Sequence, residues 1–477
     1  VRGIKFERRA KISAYGKGKA QGGLSRREGG TEAARIKACR CHASLRILRV
    51  KGAELRQQGK GKAMILIAGG GIAGLVMGLT LHQLGLPFRV YERVAEPRPL
   101  GVGINLQPNS VRELFDLGLE AELDALGVRT RQYGFYSKYG QEIWVEPRGL
   151  HAGYHWPQYS VHRGHFQMML LRVLRARAGA ESVVTGAGVV GFESTDQGAT
   201  LILSDGRRVA GDLAIAADGI HSAIRRQMVP DEGEPIWNGA IMWRGTTRAA
   251  QFLGGNAMFL AGHDSQRFVA YPISGPDPDT GLSEINWIAE LRVDPARAMS
   301  KGDWNRPADK ADFAPAFEGW DFGWVDCPAL IAGSGLVYEY PMVDREPLPS
   351  WTHGCVTLMG DAAHATYPVG SNGASLAIID ARKIGAALRA HGVGRAALLS
   401  YEAEMRPRVE RILRANRGKG PDAVMQMVED RTGGTRFDDI NAVIPRADLA
   451  AHAEHYKQLS GFSVDVLNAQ PPILGAA

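Results

Sequence analysis

The chain has 477 residues, 45% of them hydrophobic and 22% charged. That length and balance suit a globular protein of two or more domains and exclude a disordered or fibrous chain. The net charge of +7 misleads: residues 1–63 hold 18 Lys/Arg against 4 Asp/Glu, leaving 39 against 46 elsewhere, so the body is mildly acidic and unsuited to nucleic acid.

Residues 1–63 form a glycine-containing basic leader without sustained apolar periodicity, and disorder is expected. Four readings of it compete: a targeting peptide, a basic arm, a metal site at Cys39-Arg-Cys41-His42, and upstream sequence translated from a misplaced start. The last is favoured, because the chain opens on Val1 while Met64 stands at the first strand.

Ile65 to Ala68 reads as a short buried parallel strand. Gly69, Gly71 and Gly74 follow at G-x-G-x-x-G spacing and open a helix, with Ile72 and Ala73 between them. The first glycine permits a tight turn, the second lets a pyrophosphate approach the backbone, and the third allows close helix packing. Phe88 to Tyr91 is the second strand, closed by Glu92-Arg93. An acid at Glu92 suits ribose hydroxyls and disfavours a 2′-phosphate at this fold unit. The stretch Met64 to Leu81 carries no charge over 18 residues, but its five glycines argue against a membrane span.

Gly101 and Gly103 lie in a loop where backbone can pass close to a flat ligand. Val111 to Leu126 has helical spacing, and Tyr133 to Val145 reads as a hairpin. Arg163 stands where a helix starts, and its guanidinium suits a pyrophosphate or plain solvent. His162 and His165 lack a third ligand and read as surface or packing residues. Leu213 to Ala217 is a buried strand ending in Asp218-Gly219, after which Ser222 caps a helix bearing Arg225.

From about residue 235 the pattern turns β-rich, with strands over 239–246, 257–260, 267–273 and 284–293. Trp243, Phe259, Phe268, Tyr271 and Trp287 either line an aromatic pocket or form sheet core. Asp303 through Trp324 reads as a helical, aromatic cover for one sheet face. Leu358-Met-Gly360-Asp361 then leads through Pro368, Gly370, Asn372, Gly373 and Ala374 into a helix to Leu388, with another over Arg395–Arg414. The last fifty or so residues are weakly patterned. Cys327 and Cys355 have no redox spacing, so a reducing cytoplasm is the expected location.

Three segments in this order are similar to the group A flavoprotein monooxygenases, the p-hydroxybenzoate hydroxylase-like aromatic hydroxylases. They are Gly69–Gly74 with Glu92, Ala217-Asp218-Gly219 with Ser222 and Arg225, and Gly360-Asp361 with Pro368, Gly370 and Gly373. Further stretches resemble the family's phenazine-pathway members: Arg98 to Asn105, Pro157 to Gly164, Met242-Trp-Arg-Gly245, Val269 to Ser274, Asp303 to Arg306 and Tyr340 to Arg345. Departures are Ala217 and Ser371-Asn372, neither of them disabling.

The resemblance implies an α/β fold: a Rossmann-like FAD-binding domain of glutathione-reductase type with an inserted β-rich substrate domain and C-terminal helices. The expected divisions are 1–63 leader, 64–130, 159–234 and 339–392 FAD-binding, 131–158 hairpin, 235–338 substrate domain, 393–430 helix and 431–477 tail. It implies that Glu92 and its neighbour Arg93 serve the adenosine ribose and Arg163 the pyrophosphate. Asp361 would bind the ribityl–phosphate region, Gly370 to Ala374 the flavin ring, and Asp218-Gly219 both FAD and nicotinamide. Gly103 would pass the flavin, while Arg244, Tyr271 and Pro368 would touch substrate. No metal and no catalytic side chain is implied, and His364 beside Asp361 reads as structural.

The implied reaction consumes NADH or NADPH and O₂. A C4a-hydroperoxyflavin would hydroxylate an electron-rich aromatic or heteroaromatic acid, phenazine-carboxylate- or salicylate-like, with or without decarboxylation. The expected partner is that small substrate, and the protein is a monomer or homodimer without nucleic acid or integral membrane association. The alternatives are a same-fold reductase or dehydrogenase without oxygen insertion and a flavin-binding sensor. A halogenase lacks its Trp-x-Trp-x-x-Pro motif here.

Overall fold

The computed structural model describes residues 63–294, 306–418, 420–460 and 463–475. Readings of 1–62, including Cys39-Arg-Cys41-His42, and of Asp303-Trp304-Asn305 lie outside the described residues.

Ile65–Ala68 has every side chain buried, so it needs cover on both faces. It pairs in parallel with Phe88–Tyr91 on one side and Leu213–Ala216 on the other. The sheet has six strands, in the order Thr352–His353, Val356–Leu358, Leu213–Ala216, Ile65–Ala68, Phe88–Tyr91, Val183–Val184. The helix Ile72–Gln83 is buried over nearly all its length and packs against Arg163–Ala178 and Gly373–His391.

The second large sheet has eight strands, ordered Arg306–Pro307, Val337–Asp344, Ile236–Ala249, Ser283–Arg292, Gln266–Pro272, Ala257–His263, Gln132–Tyr136, Glu142–Pro147. All its pairings are antiparallel except that of Ala257–His263 with Gln132–Tyr136. Alternation along each strand splits its two faces. One face carries Trp243, Phe259, Phe268 and Trp287 into a core with Phe313, Phe317 and Trp320. These four aromatics are therefore sheet core, and of the five named from sequence only Tyr271 faces a cavity.

Several sequence expectations need adjustment. The helical stretch 111–126 is two helices, Pro108–Asp116 and Glu120–Leu126, broken where Gly118 takes φ +67°. The cover over 306–324 is made of short 3-10 turns, Lys310–Asp312 and Ala314–Phe317, not a longer helix. The strand Val337–Asp344 pairs with Ile236–Ala249 as far as Asp344. Among the described residues the weakly patterned C-terminus follows the helix Ala423–Thr432 with three more, Ile440–Val443, Arg446–Ser460 and Val464–Asn468, and buries Leu449, Leu467 and Leu474. Among the described residues no helix is long and apolar enough to cross a membrane.

Candidate active site

A cavity of about 350 Å³ lies between the carboxyl ends of the parallel strands and the second face of the eight-stranded sheet. Such strand ends are where open α/β sheets take their ligands.

One wall is backbone. Gly69 takes φ +100°, and a Cβ there would stand 2.4 Å from the Ala217 carbonyl oxygen. A Cβ on Gly74 would stand 2.0 Å from the Gly69 oxygen, so the turn and the helix meet with no room for a side chain. Gly71 is the N-cap of Ile72–Gln83 and offers no side-chain cap, which leaves the first-turn N–H groups to an anion. Glu92 braces this loop: its Oε2 accepts from Gly70 N at 2.6 Å and its Oε1 from Val94 N at 2.8 Å. Arg163 reaches the same cavity, and so does Asp361, the first residue after the Gly360 turn.

The wall continues through Pro368, Gly370, Ser371, Gly373 and Ala374. The helix Gly373–His391 begins after Asn372, again without a side-chain cap. Gln107 ties this loop in place, donating from its backbone N to Ser375 Oγ at 3.0 Å and from Nε2 to the Gly370 carbonyl at 3.3 Å. Behind it His364 Nε2 lies 2.6 Å from Asp380 Oδ2, fully enclosed, and the same Asp380 oxygen accepts from Gly360 N at 2.8 Å. Burial opposes the charged imidazole, but Asp380 prevails and holds the His364 pKa above its ordinary value.

The other wall is side chains of the large sheet. Met242, Arg244, Met258, Leu260, Arg267, Val269, Tyr271, Ile288 and Glu290 line it. Arg244 donates from Nη2 to the Gly103 carbonyl at 2.9 Å and hydrogen-bonds with Tyr271, while its Nε is buried with no partner among the described residues. Burial pushes its pKa down, and no carboxylate is among the groups that act on it. Burial also lifts the Tyr271 phenol to about 12, against the pull of Arg244. Asn286 Oδ1 accepts from Gly103 N at 2.7 Å, so Gly103 is gripped between the sheet and the nucleotide half.

Two uncapped helix ends, a glycine turn with no space for Cβ atoms, and the buried unpartnered oxygens Asp218 Oδ1 and Gln107 Oε1 fit a long ligand with phosphates at one end and donors at the other. FAD has that character. A family model described as the FAD binding domain matches residues 62–296 and 342–416. A phenazine 1,6-dicarboxylic acid hydroxylase of Lysobacter antibioticus is 43% identical over 364 residues, covering 74% of this chain and 89% of the relative. The chain belongs to the group A flavoprotein monooxygenases.

Two further likenesses place this monooxygenase. An aurachin C monooxygenase/isomerase of Stigmatella aurantiaca is 30% identical over 350 residues, 73% of this chain and 85% of the relative. The crystal structure of Klebsiella pneumoniae HpxO complexed with FAD and uric acid shares the fold, with a TM-score of 0.65 at 24% identity over 86% of this chain and 97% of that one. The enzyme is thus an FAD-dependent oxidoreductase that consumes O₂ and reduced nicotinamide to hydroxylate an aromatic compound, rather than a reductase or a sensor.

Of the residues named from sequence, Gly71, Ile72, Ala73, Gly103, Arg163, Asp361, Gly370, Gly373, Ala374, Arg244, Tyr271 and Pro368 all line the one cavity. Gly69 and Gly74 shape it from behind, and Asn372 is buried beneath it. Glu92, Arg93 and Asp218 are not in its lining; Asp218 Oδ2 accepts from Ala223 N at 3.0 Å, while burial raises its pKa. His162 is a helix cap, its Nδ1 accepting from His165 N at 3.2 Å. Met242, Met258, Leu260, Arg267, Val269, Ile288, Glu290 and Asp422 were not anticipated. Period-2 alternation from Arg244 and Tyr271 gives Met242, Val269 and Arg267 directly; Asp422 has no local signal.

Proposed function

We propose that this enzyme hydroxylates a planar, electron-rich aromatic or heteroaromatic acid, larger than a single ring, whose carboxylate is anchored by Arg244. The observation that carries this is Arg244 itself: a half-buried guanidinium lining the cavity, its Nε enclosed and unpartnered among the described residues, no carboxylate acting on it, and an apolar slot beside it. A buried charge left so is costly unless a ligand completes it. Met242, Met258, Leu260, Val269 and Ile288 supply broad apolar contact for a flat ring system.

For the cofactor, the N–H groups at Ile72 and Ala73 and the Arg163 guanidinium would hold the pyrophosphate. Glu92 and Arg93 would serve the adenosine ribose, Asp218 and Asp361 the polar middle. Gly370 to Ala374, with Pro368 beside the substrate, would face the ring system. FAD when bound supplies the activation of O₂ with electrons from NADH or NADPH and the delivery of one oxygen atom to the ring. The balance is ring C–H, O₂, NAD(P)H and a proton in; phenol, water and NAD(P)⁺ out. The chain's own residues orient and enclose: the apolar floor keeps water away, Arg244 fixes the ring's direction, and Tyr271, neutral with its high pKa, keeps its phenolic proton as a donor toward the reacting edge.

The test is oxidation of NADH and NADPH by the purified holoenzyme with O₂ uptake, peroxide and product followed against one-, two- and three-ring aromatic carboxylates. Hydroxylated product matching O₂ consumed, with little peroxide, is expected for multi-ring acids. Faster turnover on single-ring acids, or on neutral arenes of equal size, would overturn this reading.

A further inference from the structure

The cavity does not end at its apolar floor. On the strand Ser283–Arg292, residues 286, 288 and 290 share one face, and each pairs with a cavity residue of Gln266–Pro272: Asn286 with Tyr271, Ile288 with Val269, Glu290 with Arg267. Asn286 grips Gly103, so Glu290, four residues further along, stands roughly 13 Å from that end along the strand. The slot therefore has two polar poles, Arg244 near Gly103 and Glu290 far from it, with Ile288 and Val269 between.

The far pole has an unusual charge balance. Arg267 Nη1 lies 2.6 Å from Asp422 Oδ2 and its Nη2 lies 2.5 Å from Asp264 Oδ1, so its charge is matched twice. Glu290 stands 4.0 Å from Arg267 Nη1, beyond hydrogen-bond length, and no other ion pair involves it among the described residues. It is 8% exposed and lines the cavity. Tyr133 and Asp422 line the same end, and neither supplies a positive charge. Among the described residues no hydrogen bond reaches the Glu290 carboxyl, and a buried carboxyl left so beside a cavity carries an unmet demand for a donor.

We propose that Glu290 is a specificity-determining residue which accepts a hydrogen bond from a donor group — an amine, a ring N–H or a hydroxyl — on the substrate edge farthest from Arg244. This rests on the reading of the cavity as the site of an aromatic acid. The enzyme therefore selects ring systems of opposite polarity at their two ends, an anion at one and a donor at the other. A second carboxylate at the far end meets Asp422 and Glu290 and is disfavoured.

The test uses holoenzyme and three rod-like probes: biphenyl-4-carboxylate, 4′-aminobiphenyl-4-carboxylate and biphenyl-4,4′-dicarboxylate. Binding is read from the change in flavin absorbance and fluorescence. Wild type is expected to bind the amino acid about tenfold more tightly than the unsubstituted acid, the scale of one hydrogen bond to a charged group. The dicarboxylate is expected to bind weakest. Glu290→Met should abolish the amino preference, while Glu290→Gln, which keeps an acceptor, should retain part of it. Arg267 keeps Asp422 and Asp264 in both variants, and the wild-type ranking decides even if the methionine variant does not fold. Equal binding of the three probes, or tightest binding of the dicarboxylate, would overturn the far pole alone. No binding of any probe would overturn the reading of the cavity, and this inference with it.

Discussion

The two walls of the cavity are built on opposite plans. The nucleotide wall presents mainly backbone, with uncapped helix ends and a glycine turn, joined by a few side chains such as Arg163 and Asp361. The sheet wall presents side chains from six strands, at alternate positions wherever a strand supplies more than one, on a scaffold whose other face is aromatic core. A backbone site tolerates no added atoms yet is indifferent to most neighbours. A side-chain site can be changed one residue at a time without disturbing the sheet. The nucleotide wall is thus written in the spacing of its glycines, and the sheet wall in the alternation of its strands.

The contrast breaks most sharply at the glycines. Gly74→Ala places a Cβ against the Gly69 carbonyl, and loss of yellow, flavin-bearing protein is expected, read as absorbance near 450 nm per folded chain. Gly71→Ala is its control. The position has ordinary φ and nothing within 4 Å, so the fold should persist while FAD affinity falls, because the new methyl enters the cavity. Normal flavin content in Gly74→Ala would contradict the backbone plan.

On the sheet wall effects should be graded instead. Arg244→Met is expected to lower kcat/KM for an aromatic carboxylate about hundredfold with flavin content kept. An equal loss with a neutral arene would show that Arg244 does not act on the carboxylate. Glu290→Gln should change stability with a definite pH sign. Burial, against the opposing Arg267, lifts the Glu290 pKa from 4.5 to about 7, so ionising it in the folded state costs stability as pH rises through that window. The variant should match wild type near pH 4.5 and exceed it by roughly 1–3 kcal/mol above pH 7, in denaturant unfolding at both pH values. A gain that is the same at both would exclude titration of this carboxyl. Smallest is Tyr271→Phe, expected to cost about three- to tenfold in coupled product with NAD(P)H oxidation nearly unchanged.

The sequence was readable where physics leaves one solution. Only glycine fits at 69 and 74, and Glu92 could be placed because the second strand must end beside the turn. Tyr271 was legible as a candidate from the aromatic pattern of the β-rich segment, whereas no periodicity singled out Arg244; both line the cavity. The core aromatics were ambiguous because Trp243 and Arg244 are neighbours with opposite directions, and composition does not say which face meets the ligand. The far pole was invisible for another reason. Glu290, Arg267 and Asp422 meet only when the Ala423–Thr432 helix closes over the sheet, a contact across more than a hundred residues of chain.

The single parallel pairing in the large sheet has a consequence for how this enzyme can be recombined. Ala257–His263, an apolar strand, is covered on one edge by Gln132–Tyr136, which arrives from the other half of the sequence. A specificity cassette cut at residues 235 and 345 would leave the hairpin Gln132–Pro147 behind and expose that edge as a template for aggregation. Exchanging substrate preference between relatives thus calls for two grafts, hairpin and sheet together, and the hairpin, synthesised first, must wait for its partner strand.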